Sequence, residues 1–121
     1  MNPNEASLIT LDARFKGDLE TKSDIRIDGV FEGRISSEAR VVIGEKGVVK
    51  GEIFCNTADI FGSIVEGTVY VGDLLSIKSG ANVQGKVYYK HLQIDLDAKV
   101  NGQCQLITEK ELEAKNPFRK Q

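Results

Sequence analysis

Tryptophan is absent from this 121-residue chain, histidine occurs once, and cysteine and proline occur twice each. Each shortage excludes something. Lys and Arg total 16 against 18 Asp and Glu, a net charge of −2, so there is no basic excess to attract nucleic acid. No apolar run approaches the length of a membrane span, and no Lys or Arg precedes Arg14, which argues against a secretory leader. Two cysteines without a leader suit a reduced, intracellular setting. The prolines, Pro3 and Pro117, lie near the two ends, leaving the intervening body free of the strongest strand breaker. The length suits a single domain.

What is present is a short repeat. The stretch VKGEIFCNTADIFGSIVEGTV, residues 49–69, begins and ends on an apolar-x-Gly-x-apolar phrase. Six copies are centred on Gly17, Gly33, Gly51, Gly67, Gly85 and Gly102, spaced 16, 18, 16, 18 and 17 residues apart. Written out, they run from Phe15-x-Gly17-x-Leu19 through Val65-x-Gly67-x-Val69 to Val100-x-Gly102-x-Cys104. A second phrase, apolar-x-apolar, falls between them: Ile9/Leu11, Ile25/Ile27, Val41/Ile43, Ala58/Ile60, Leu75/Ile77 and Leu92/Ile94. Two independent phrases keeping one period over six cycles mark a repeat architecture.

A period near 17 residues fits one turn of a parallel β-solenoid with three short sides, each alternating inward and outward residues. The third side falls four residues after each glycine, at Thr21, Ser37, Cys55, Val71, Tyr89 and Leu106. Strand-interior glycine weakens a strand unless something must approach closely. The glycine file is therefore expected to project inward, where the core is thin. Outward files test the register, because neighbouring turns lie about 4.8 Å apart. Lys16, Glu32, Lys50 and Glu66 alternate in sign, as do Asp18, Arg34 and Glu52. Asp28-Gly29, Gly44, Gly47, Gly62, Gly72 and Ser79-Gly80 supply turn chemistry at the corners.

No catalytic constellation emerges. Neither phosphate-cradling glycine pattern occurs, which argues against a nucleotide-binding filament of the actin or tubulin kind and leaves no cofactor to expect. His91 stands alone at a corner, too few histidines for a zinc site of the solenoid carbonic anhydrase type. Cys55 and Cys104 are expected inside, three turns or roughly 14 Å apart, beyond disulfide reach. An ice- or polysaccharide-binding solenoid would want an outward file of Thr or aromatic residues, which this reading does not find. The enzyme alternative, a hexapeptide-type acyltransferase subunit, expects a period of about 18 and a partner for His91.

The tails differ from the body. Residues 1–7 are polar and read as a disordered tail, 8–107 as the solenoid and 108–121 as a C-terminal tail. Thr108 to Glu111 has capping-box form, which allows a short helix. Phe118 either docks on a neighbouring surface or stands exposed. A solenoid has two ends with unpaired backbone groups, usually protected by polar caps. Here the ends carry Ile9, Leu11 and Phe15 on one side and Val100, Leu106 and Phe118 on the other. These residues are expected to join copies end to end.

The stretches SDIRIDGVFEGRI and VVIGEKGVVKGEI resemble the core of the bactofilins, and the similarity extends over about residues 9–106. The resemblance implies a right-handed triangular parallel β-helix of about six turns, to which this sequence adds only short flexible tails. It also implies nucleotide-independent homopolymers with subunits meeting head to head and tail to tail. Cytoplasmic scaffolds for cell shape or cell-wall proteins, at the inner face of the inner membrane, are implied as well. MNPNEASLITLD has no basic residue to draw it to anionic lipid, so the tail does not support that attachment.

Overall fold

The computed structural model describes residues 7–10 and 12–115. Short and long strands alternate along the chain: β1 (Ser7–Ile9), β2 (Arg14–Thr21), β3 (Ile25–Ile27) and β4 (Val30–Ser37). Then come β5 (Arg40–Ile43), β6 (Val48–Cys55), β7 (Thr57–Ile60) and β8 (Ser63–Val71). The series ends with β9 (Leu74–Ile77), β10 (Asn82–Tyr89), β11 (His91–Ile94), β12 (Lys99–Leu106) and a helix, α1 (Glu109–Lys115). The short strands stack in one six-stranded sheet and the long ones in another, all pairs parallel. The chain is thus a β-solenoid of about five turns, where the resemblance implied about six.

Both phrases of the repeat lie in register. Ile25 pairs with Val41, Val41 with Ala58, Ala58 with Leu75 and Leu75 with Leu92. Every inward member from Ile25 to Ile77 is buried, because one side chain of each alternating pair faces the interior. Each fully buried Ile or Leu there contributes about 1.5–3 kcal/mol. The residue following each short strand donates its N–H to the last residue of the equivalent strand one coil earlier. Gly44 donates to Ile27, Phe61 to Ile43, Lys78 to Ile60 and Asp95 to Ile77, at 2.8–2.9 Å.

That ladder corrects the first coil. Asp28 N–H donates to Ile9 O at 2.7 Å and Ile9 pairs with Ile27, so Ile9 ends its strand rather than beginning the apolar pair. Four residues separate it from β2, as in the turns after β5, β9 and β11, whereas the second coil has only Asp28-Gly29; Asp12 sits at φ 67°. Leu11 lies outside the described residues.

A second correction falls in β8. Ile64, not Val65, pairs with Val49 and Val83 and is buried; Val65 is only half-buried. Glu66, at φ 50°, takes up the additional residue as a β-bulge, after which Gly67 and Val69 rejoin the register.

The glycine file answers to the backbone rather than to a thin core. Gly33 has φ +139°, mirror-image β space open only to glycine, and a methyl built on it would strike the Gly17 carbonyl one coil away. Gly51, Gly85 and Gly102 repeat this geometry on the glycine before each.

Candidate assembly interface

At the C-terminal end the interior is open. Ile94 is 44% exposed and Leu106 67%, while Val100 is half-buried. β11 and β12 are edge strands, each paired on one side only. Cys104 lies in register with buried Val87, yet it is exposed because no further coil covers it. This corrects the expectation of two buried thiols; only Cys55 is buried, and burial pushes its thiol pKa up. Leu96 was missed by the sequence reading. It occupies the corner tip that Glu45 and Ser79 hold in other coils and is fully exposed, an apolar residue where the repeat uses polar ones.

The N-terminal end is edged by β1 and β2. Ile9 is buried, and Phe15 and Leu19 are half-buried against the core. Phe15 stacks on Phe31 of the next coil, ring centroids 5.1 Å apart. Phe118, like Leu11, lies outside the described residues.

Helix α1 does not cover an end. Its capping box forms as its sequence dictates: Glu111 N–H donates to Thr108 Oγ1 at 3.1 Å, and Thr108 Oγ1 pairs with Glu111 Oε1 at 2.9 Å. Leu112 and Ile107 then pack on the flank of the stack, against an outward aromatic ladder. Phe54, Tyr70 and Tyr88 stack face to face at 4.6 and 5.0 Å, and Lys115 Nζ lies 5.8 Å from the centre of the Tyr88 ring. Burial beneath the helix pushes the Tyr70 phenol pKa up.

An outward aromatic file therefore exists, contrary to the sequence reading, but the helix packs on it instead of leaving it open. Its signal was available three residues after each glycine, where Glu20 and Ser36 give way to Phe54, Tyr70 and Tyr88.

The outward charges pair across coils. Arg34 holds Asp18 one coil below, Lys50 lies 3.7 Å from Glu66, and Arg40 lies 3.2 Å from Asp59. Glu32 takes Arg14 at 3.7 Å, one residue pair away from the expected Lys16. His91 is exposed at the start of β11. Among the described residues no group of three His, Cys, Asp or Glu is placed to hold a metal, and no helix is long and apolar enough to cross a membrane.

Stacked parallel coils, charge-paired outside and open at the C-terminal edge, define a parallel β-solenoid of the kind built by repetition along one axis. The family model of the bactofilins, described as polymer-forming cytoskeletal, matches residues 7–105, and the chain belongs to this family. No match was found among curated proteins or among solved structures.

Proposed function

We propose that the chain is a filament subunit whose copies join through the two ends of the solenoid, without nucleotide. The filament acts as a cytoplasmic scaffold for cell shape or for placing cell-wall proteins. The observation that carries this reading is the C-terminal edge, where β12 offers unpaired backbone beside exposed Cys104 and Leu106. A second chain adding there extends the sheet and covers the open core. Membership in a polymer-forming family supports self-association. Charge order favours like ends meeting. A head-to-tail stack in the register of the repeat would set Lys99 over Arg14, a like-charge contact between edge strands.

Negative-stain microscopy of the purified chain without nucleotide tests this. Filaments are expected, and Leu106→Arg should abolish long ones while a thermal melt still shows a folded body. Long Leu106→Arg filaments would remove this end from the interface.

A further inference from the structure

We infer that the two ends are chemically unlike joints and that assembly is staged. C-terminal ends close first into a salt-resistant pair, and N-terminal ends then link these pairs through ion pairs that salt dissolves. The inference rests on the end-to-end reading above and names a second copy of the chain as the occupant of both ends.

The N-terminal edge strand carries a charge palindrome about Gly17. Arg14 and Lys16 precede it, Asp18 and Glu20 follow it, and all four are exposed. Asp12 and Lys22, also exposed, flank the strand in the opposite order. A second copy laid antiparallel through a twofold axis at Gly17 sets Arg14 opposite Glu20, Lys16 opposite Asp18 and Asp12 opposite Lys22. Each pair is of opposite sign, and the axis produces each twice. Phe15 falls opposite Leu19 on the inward face. Asp18 already accepts from Arg34 and Arg14 lies 3.7 Å from Glu32, but a carboxylate has room for a further donor and a guanidinium has five N–H donors.

The C-terminal edge has no such order. The outward residues of β12 are Lys99, Asn101, Gln103 and Gln105, so a twofold axis at Gly102 joins amides to amides and Lys99 to Gln105. Inward it sets Val100 opposite Cys104 and Ala98 opposite exposed Leu106. That joint gains from covering apolar surface, which salt does not weaken. The ionic joint is exposed and screened, because the Debye length falls from about 10 Å at 0.1 M to about 3 Å at 1 M salt. Its association is expected to weaken by about tenfold or more over that range.

Sedimentation velocity and electron microscopy of the full chain across NaCl concentrations give the test. Filaments at low salt should resolve near 1 M into dimers rather than monomers. Arg14→Glu should stop at dimers at every salt concentration, and adding Glu20→Arg, which restores the pair in reversed order, should restore filaments. Leu106→Arg should give dimers at low salt that fall to monomers at high salt. Filaments indifferent to salt, dissolution directly to monomers, or normal filaments from Arg14→Glu would overturn the staging while leaving end-to-end assembly intact. Monomers at every salt concentration would instead overturn the parent reading.

Discussion

Arg34 grips Asp18 across one coil of the stack, with Nη2 donating to Oδ2 at 2.6 Å and Nε to Oδ1 at 3.2 Å. The two residues are direct partners in the β2–β4 register, so the pair is a side-chain reading of the backbone alignment. The hydrogen bond from Arg34, aided by its charge, holds the Asp18 carboxyl below the ordinary carboxylate range. A depressed folded-state pKa adds stability above the unfolded value, and that stability is lost as pH falls through the folded value. Asp18→Asn, in the Leu106→Arg background proposed to block polymer growth, should therefore flatten the acid limb of a Tm–pH profile below about pH 4. Both groups are solvent-exposed, so the shift at neutral pH should be small.

Gly33→Ala should be severe. The methyl meets the Gly17 carbonyl and the backbone sits at φ +139°, combining about 1–3 kcal/mol of strain with a comparable cost of overpacking. Gly80→Ala is the control, since that glycine has φ +86° with nothing within 4 Å of the added methyl. It should cost about 1 kcal/mol. Thermal or denaturant unfolding of the two variants would separate steric conflict between coils from backbone strain alone.

Leu112→Ala should loosen α1 from the aromatic ladder. Leu112 is half-buried, and truncation removes about 1–2 kcal/mol of packing. A seven-residue helix has little stability of its own, so its helical circular dichroism should fall while the strand signal persists. Tyr fluorescence should report the newly wetted rings of Tyr70 and Tyr88. An unchanged helical signal would mean that the capping box alone holds the helix.

The two thiols should differ sharply toward a water-soluble alkylating reagent. Cys104 should react in the folded protein, whereas buried Cys55, its pKa raised by desolvation, should react only on unfolding. If copies join through this end as proposed, Cys104 should also become protected as filaments form. Mass spectrometry of labelled peptides before and after assembly would measure both effects.

Much of the fold was legible because each repeat states its register twice, once at a glycine and once at the apolar pair. The apolar pairs held from Ile25 to Ile77, and there the alignment read from spacing is the alignment found. It slipped at the first coil, because the second coil shortens the usual four-residue turn to Asp28-Gly29, and at Glu66, a left-handed bulge residue, since spacing alone locates neither. Ile64 and Val65 are equally apolar, so composition could not choose between them.

The glycine file was visible, yet its cause was not, because close backbone approach between coils leaves no mark on side-chain pattern. The aromatic ladder escaped notice for another reason. It occupies an outward position that the first two coils fill with Glu20 and Ser36, and it becomes apolar only where α1 returns to cover it.

Helix α1 rides on the flank, and this separates growth from decoration. In the proposed filament elongation would proceed along the axis, where the helix does not stand, while every added subunit would mount another ridge on the side. Such a fibre would carry its own regularly spaced handles, and anything gripping them could do so without competing with the growing tip.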